Sequence, residues 1–354
     1  MRRLRIAVYT DSSGVGGAEQ ALAHLITHLE DALDLVPIFV SERVAEVVAP
    51  GRGVTLVRRP SETVPDPGAL RAHVRALRAA RADVFHANLI SPYSGQYGLV
   101  AAIALRIPSV AVYQLPNDPA NRLQHLLKRT TARATTAHVG VGERVAREIE
   151  RRLGLRDGTA LTIHNGVDDH TTQPASRTNA EPTIGAVGRL APQKGFDVLL
   201  RALADIPGAR LVIVGDGPER AELEALAQRL GVADRTSFVG WIDEPRSLLS
   251  SFDVLALPSR NEGFPLTVLE ALLAEVPVVA TDVGSVREAV VPGETGVLVE
   301  PEDVDALAAA LRALLADPQE RQRLGRRGRE LVRARFTAAH MATAFERLYR
   351  ELAA

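Results

Sequence analysis

The chain contains no cysteine, so disulfides, thiolate metal sites and thiol nucleophiles are all excluded, and the redox compartment leaves no mark on it. Aromatic residues make up only 4% of 354 residues and the formal net charge is −1, which leaves neither stacking platforms nor a basic surface for nucleic acid. No apolar run approaches the roughly 20 residues that a membrane span needs. The opening MRRLRIAVYTDSS has a basic lead, but its apolar run stops at Asp11, too short for a signal peptide, and it reads as a first strand. These absences predict a soluble cytoplasmic protein whose contact with a membrane would be peripheral. Lysine is nearly missing too. Forty of the 42 basic residues are Arg, and Lys128 and Lys194 are the exceptions, so a Lys inside a phosphate-binding pattern stands out. No metal site is expected: His24 and His28 lie four apart on a helical stretch, but no third ligand accompanies them, and a solvated helix face accounts for them.

What is present is a regular alternation. Short Val/Ile/Leu-rich runs, from Leu4–Tyr9 to Leu161–His164 and again from Thr183–Val187 to Gly296–Val299, alternate with helical stretches. Near-continuous apolar strands between helices indicate parallel sheets covered on both faces. There are too many for one comfortable sheet, and the length suits two domains, so an α/β fold with two doubly wound domains is expected. The polar stretch DDHTTQPASRTNAEP, Asp168 to Pro182, reads as a linker. The expected domains are therefore 1–167 and 183–337, joined by 168–182, with a last helix over about 338–354. The halves differ in charge. Residues 1–166 carry 21 Lys plus Arg against 15 Asp plus Glu, a net of +6, and the remainder carries −7. Two readings stand open: attraction between the halves, or a basic first half that meets an anionic acceptor or lipid surface.

The most informative stretch is PSRNEGFPLTVLEAL, Pro258 to Leu272. An apolar strand (Val254 to Leu257) feeds a loop that opens a helix. Such a loop presents free backbone N–H groups where the helix dipole also favours an anion. Glu262 precedes that anion seat; Glu270 lies one to two turns into the helix. One carboxylate can reach a group attached to a bound phosphate, and the other can accept hydrogen bonds from a ribose diol. This arrangement suggests a nucleotide-diphosphate sugar. A pair of glutamates eight apart also describes a plain solvated helix face.

Other segments follow strands in the same way. TDSSGVGGAEQ, with Gly14, Gly16 and Gly17, is a glycine-rich loop before a helix. Glu19 stands where a dinucleotide fingerprint needs its next glycine, and no Lys follows to make a P-loop. Asp83–Asn88 places His86 and Asn88 at a strand end, where α/β proteins bind ligands. His164–Asp168 contains an Asn-Gly turn. Gly188–Arg189 and Gln193–Lys194–Gly195 put an Arg fork and a Lys ammonium five residues apart at a helix entry, a pairing suited to a diphosphate. Gly215–Asp216–Gly217–Pro218 and Val239–Gly240–Trp241 each close a strand.

Taken in order, these segments resemble the retaining glycosyltransferases of family 4, which adopt the GT-B fold: two Rossmann-like doubly wound domains facing across a cleft. Pro258–Leu272 resembles the family's Glu-x7-Glu signature, Gly16–Glu19 its GGAE loop, Gly188–Arg189 with Lys194–Gly195 its Gly-Arg…Lys-Gly element, and Gly215–Pro218 its Gly-x-Gly-Pro loop. The resemblance implies that the first domain holds a hydroxyl acceptor and that the last helix packs back on it, while the second domain holds the donor, a UDP-sugar foremost. It implies that Glu262 hydrogen-bonds the donor sugar, helped by the backbone of Gly263, Phe264, Pro265 and Leu266. Glu270 would bind the ribose, Val239 and Gly240 the base, and Gly215 and Gly217 the nucleotide. Gly16 and Gly17 would lie near the diphosphate and the acceptor. Arg189 and Lys194 would offset charge on the leaving diphosphate, so that no metal or other cofactor is needed. The family typically shows His-x-His where this chain has His86 and Asn88, and Asn88 can bind a hydroxyl but carries no proton. The acceptor would be a glycan, a lipid-linked group or a small molecule. A sugar-nucleotide epimerase, a phosphorylase of the same fold and a non-catalytic sugar-nucleotide-binding subunit remain alternatives.

Overall fold

The computed structural model describes residues 3–61, 65–91, 94–115, 122–169, 181–242 and 246–354. Most of the linker expected over 168–182 lies outside the described residues. The chain divides into two units, Met1–Asp168 with Ala338–Ala354, and Asp169–Thr337.

The first unit carries β1 (Arg5–Thr10), β2 (Asp34–Phe39), β3 (Thr55–Leu56), β4 (Val84–Leu89), β5 (Ser109–Tyr113), β6 (Ala137–Gly140) and β7 (Ala160–Thr162). They form one sheet in the order β3-β2-β1-β4-β5-β6-β7, with every pair parallel. Every residue of β4 and β5 is buried, as central parallel strands flanked by helices require. The run Val54–Arg58 forms a strand only at Thr55–Leu56, both exposed, because it lies at the sheet edge with a single neighbour. The strand expected over Asp83–His86 instead extends to Leu89, so His86 and Asn88 share one face inside it. The helix Ala338–Ala353 buries Met341, Phe345 and Tyr349 in this unit, and Ala338 N–H donates to Val167 O at 2.8 Å.

His28 is exposed, as expected of a solvated helix face, whereas His24 is largely covered. His24 Nδ1 lies 3.1 Å and His28 Nε2 3.5 Å from the two oxygens of Asp168. Asp168, the end of the unit's first segment, thus returns to its first long helix, Gly17–Leu29.

The second unit carries β8 (Thr183–Val187), β9 (Arg210–Val214), β10 (Thr236–Gly240), β11 (Val254–Leu257), β12 (Val278–Thr281) and β13 (Gly296–Val299), in the order β10-β9-β8-β11-β12-β13. All neighbours are parallel. Its core interleaves Ile184, Leu211, Val254 and Val279 from the strands with Leu199, Leu203 and Leu311 from the helices. Both sheets reverse strand order once, between β1 and β4 in the first and between β8 and β11 in the second. Ligands of open α/β sheets bind outside the carboxyl ends of the strands at such a reversal. Four of the segments singled out in the sequence follow or end these strands: Gly14–Gly17 after β1, His86 and Asn88 in β4, Arg189 and Lys194 after β8, and Glu262 after β11; Gly215–Pro218 and Val239–Trp241 lie at the ends of the neighbouring β9 and β10.

Candidate active site

In the second unit the loop after β8 and the loop after β11 are in direct contact. Gly195 has φ +65°, and a Cβ there would stand 2.1 Å from Pro258 O, so only glycine lets the loops approach this closely. That approach brings Lys194 Nζ to 2.6 Å from Glu262 Oε1. Ser259 Oγ donates to the same oxygen at 2.7 Å. Gln193 Nε2 donates to Asn261 O at 2.7 Å, and Arg260 N–H to Gln193 O at 2.8 Å. On the far side Gly284, at φ +51°, passes Glu262 with no room for a side chain: its Cβ would lie 1.9 Å from Glu262 O. Glu262 is only 5% exposed, so its charge needs the Lys194 ammonium and the Ser259 hydroxyl to remain in the interior.

Arg189 is exposed, and among the described residues its guanidinium has no side-chain or backbone partner. It leaves β8 beside the Gly215–Pro218 loop, which Leu190 holds by donating its N–H to Asp216 O at 3.0 Å. Gly215 N–H donates to Gly240 O at 2.8 Å, so the exits of β8, β9 and β10 are tied together. Val239 and Trp241 stand exposed on either side of Gly240. The helix Leu266–Leu273 starts after Pro265, and no side chain caps its first turn. Phe264 is buried edge-on against Phe336 at 5.0 Å, fixing the approach to that helix. Glu270 is buried, and its Oε1 accepts from Arg246 Nε at 3.0 Å. Arg246 was not legible as a site residue: it is 24 positions from its partner, in a polar stretch with no periodic signal.

Gly16, Gly17, His86 and Asn88 belong to the first unit; all the other predicted site residues belong to the second. Gly16 is the N-cap of the helix Gly17–Leu29, and Glu19 Oε2 accepts from its N–H at 2.9 Å. Burial holds the Glu19 carboxyl above its usual pKa. His86 is enclosed between Phe345 and Tyr349 of the last helix, with Nδ1 2.6 Å from the Tyr349 hydroxyl. Burial pulls its pKa down to about 3, so the ring is neutral at physiological pH and anchors the last helix to β4. Asn88 faces the exit of the sheet: Nδ2 donates to Ala18 O at 3.2 Å, and Oδ1 accepts from Gln114 Nε2 at 2.8 Å. Gln114 in turn accepts from Asn165 Nδ2 at 2.9 Å. A chain of three uncharged amides thus crosses the carboxyl edge of β4, β5 and β7. Gln114 leaves no signal in the sequence, and Asn165 reads there only as part of a turn. The other lysine, Lys128, is buried with its ammonium 5.5 Å over the Tyr113 ring. Burial lowers its pKa to about 8, against the opposing pull of Asp11. Among the described residues no group of three or more His, Asp or Glu is placed to hold a metal ion.

Known proteins share this organisation. The model of the glycosyl transferases group 1 matches residues 169–331, and that of glycosyltransferase family 4 matches 15–171. The 2-deoxystreptamine glucosyltransferase of Streptomyces kanamyceticus is 30% identical over 267 residues, covering 69% of this chain and 69% of that enzyme. A lipopolysaccharide core biosynthesis glycosyltransferase of Rhizobium meliloti is 35% identical over 167 residues, 47% of this chain and 49% of its own length. The chain therefore spans about half the length of that curated relative. The Anabaena protein HepE, solved in complex with UDP, superposes with a TM-score of 0.84 at 20% identity, covering 98% of this chain and 100% of its own. Two family models that between them run from residue 15 to 331, a relative matched over two thirds of both chains, and a shared GT-B architecture place this chain in glycosyltransferase family 4, among the glycosyl transferases of group 1.

Proposed function

We propose that the chain is a retaining glycosyltransferase that moves a sugar from a nucleotide-diphosphate sugar, a UDP-sugar foremost, to a hydroxyl acceptor. The reading rests on the Lys194–Glu262 contact of 2.6 Å at the strand reversal of the second unit, with the exposed Arg189 on the same strand exit. Glu262 and the backbone N–H groups of Gly263, Phe264 and Leu266 receive the donor sugar and the distal phosphate. Glu270 receives the ribose, and Val239 and Gly240 the base. Arg189 and Lys194 hold the diphosphate, a charge-assisted arrangement that strengthens as the leaving group gains charge. The bond from the sugar's anomeric carbon to the phosphate oxygen breaks, and the acceptor oxygen bonds to that carbon on the same face. The acceptor's proton passes to the departing phosphate. With two cations in place, the step needs no metal or other cofactor. In the first unit, Asn88 binds an acceptor hydroxyl without exchanging a proton, and His86 supports the strand beneath it.

The test is acceptor-free hydrolysis of an α-linked UDP-sugar, with the first-formed anomer read by proton NMR and with a chelator present. The α-anomer is expected first, at an unchanged rate with chelator. The β-anomer would contradict retention, and a changed nucleotide sugar would identify an epimerase.

The setting we assign is cytoplasmic, with peripheral contact at an anionic membrane face. Among the described residues no helix is long and apolar enough to cross a membrane. One face of the helix Arg122–Ala134 exposes Leu126 (62%) and Leu127 (46%) beside Arg133, within the half that carries the net positive charge. Co-sedimentation with vesicles containing anionic lipid is expected at low salt, and Leu126→Glu with Leu127→Glu is expected to abolish it. Absence of binding at every salt concentration would dismiss this assignment.

A further inference from the structure

We propose that Arg260 is a positioning residue: it locks the turn that carries Lys194 against the loop that carries Glu262, and so sets the spacing between the diphosphate and sugar contacts. Its bearing on turnover rests on the reading of Lys194 and Glu262 as donor ligands; the lock itself does not.

Lys194 ends the short turn Pro192–Lys194, and the helix Phe196–Ala204 starts just beyond Gly195. One guanidinium grips this stretch on both sides of Lys194. Nη1 of Arg260 donates to Pro192 O at 2.6 Å and to Asp197 Oδ1 at 2.9 Å, and Nη2 donates to Asp197 Oδ2 at 3.0 Å. Between these anchors the Arg260 backbone N–H donates to Gln193 O at 2.8 Å. The guanidinium also reaches the loop after β13, where Nε lies 2.6 Å from Glu302 Oε1 and Nη2 3.2 Å from Glu302 Oε2. Arg260 therefore ties together the exits of β8, β11 and β13, although β13 adjoins neither of the other two in the sheet.

An isolated surface ion pair would contribute little. Here the arginine meets two carboxylates bidentately, which gives orientation as well as energy. Arg201 Nη1 extends the network by donating to Asp197 Oδ2 at 2.8 Å. Burial would raise the Asp197 pKa, but the hydrogen bonds from Arg260 and Arg201 outweigh it and hold the carboxyl below its usual value. The consequence falls on the reaction geometry. The bond that breaks joins the group assigned to Glu262 and the group assigned to Lys194. Drift of one loop past the other changes the spacing of those two contacts, and a misplacement of about 1 Å can cost a reaction roughly a hundred-fold. Gln193 and the close approach of Gly195 to Pro258 still join the loops without the guanidinium, so a partial loss is expected.

The test uses the scarcity of lysine. With Lys128 and Lys194 the chain's two lysines, labelling lysine with carbon-13 at Cε gives two NMR signals, and the one missing from Lys194→Arg belongs to Lys194. In the ligand-free unmodified protein its two Hε protons are expected to be inequivalent, as in a fixed side chain. In Arg260→Ala they are expected to merge, while the Lys128 signal and a cooperative unfolding transition persist. Arg260→Ala is also expected to lower kcat for acceptor-free hydrolysis of UDP-glucose by roughly ten-fold, with UDP affinity changed by no more than about three-fold. Arg260→Lys, which keeps the charge but not the planar fork, is expected to recover part of kcat. Asp197→Ala is expected to reproduce both effects, and combining it with Arg260→Ala to add little, because both break the same lock. An unchanged Lys194 signal in Arg260→Ala would overturn the proposal. So would an equal fall in kcat and UDP affinity, which marks an arginine that binds the donor itself, or full additivity with Asp197→Ala. If the unmodified protein neither binds UDP nor hydrolyses UDP-glucose, the donor reading falls and the bearing on turnover with it, and the Lys194 signal decides the lock.

Discussion

Replacing Arg189 by Ala is expected to lower kcat by roughly 10²- to 10³-fold, the loss typical when one preorganised donor to a developing anion is removed. Donor affinity is expected to fall much less. The side chain is exposed, with no hydrogen bond or ion pair among the described residues, so its removal should disturb folding little. Stability should therefore change by no more than about 0.5 kcal/mol, as for most surface substitutions. The separation is diagnostic: an interaction made chiefly in the transition state lowers kcat and kcat/KM together. Steady-state kinetics beside a thermal unfolding scan would check it. A variant with unchanged kcat would remove Arg189 from the chemistry.

Lys194→Ala is expected to combine both losses. Lys194 is the cation facing Glu262, whose side chain is only 7% exposed. Without it, Glu262 keeps the Ser259 hydroxyl at 2.7 Å but no counter-charge among the described residues. The expected cost is on the order of 1–3 kcal/mol, the penalty for a buried charged group that has lost its partner. On the proposed reading turnover should also fall steeply, because the diphosphate would lose one of the two cations assigned to it. The two effects can be separated. Pairing Lys194→Met with Glu262→Gln removes both charges, and that double variant is expected to be more stable than the sum of the single changes predicts. Turnover would remain low. Strict additivity of the two stability losses would show that the contact carries no coupling.

The two substitutions also mark what the sequence makes legible. The strands of both sheets stand out because buried parallel strands need apolar residues on both faces, and few other segments do. The edge strand β3 is overestimated, since an edge position relaxes that need and pairing stops after Thr55–Leu56. Lys194 and Glu262 are visible as separate motifs, but their separation of 68 positions hides the fact that they touch; the contact depends on Gly195 closing against Pro258. Arg246 and Gln114 leave no sequence signal, because single polar residues in loops acquire meaning only from partners 24 and 26 positions away. His86 shows the opposite difficulty. A histidine at a strand end reads as chemistry, whereas Phe345 and Tyr349, arriving from the far end of the chain, enclose it and lower its pKa to about 3. The reading of a solvated face holds for His28 but not for His24, because Asp168 comes from a distant part of the chain to meet it.

The central claim is a nucleoside-diphosphate site in the second unit, built around Glu270, Lys194 and Arg189. Thermal unfolding with UDP, GDP, ADP and dTDP, beside a Glu270→Ala control, tests it most directly. A ligand at 100 times its dissociation constant stabilises the state that binds it by about 2.7 kcal/mol. One diphosphate, UDP foremost, should raise the unfolding midpoint in a concentration-dependent way, and Glu270→Ala should abolish the rise. No shift with any of the four across a wide concentration range, or an equal shift in the Glu270→Ala variant, would contradict the claim.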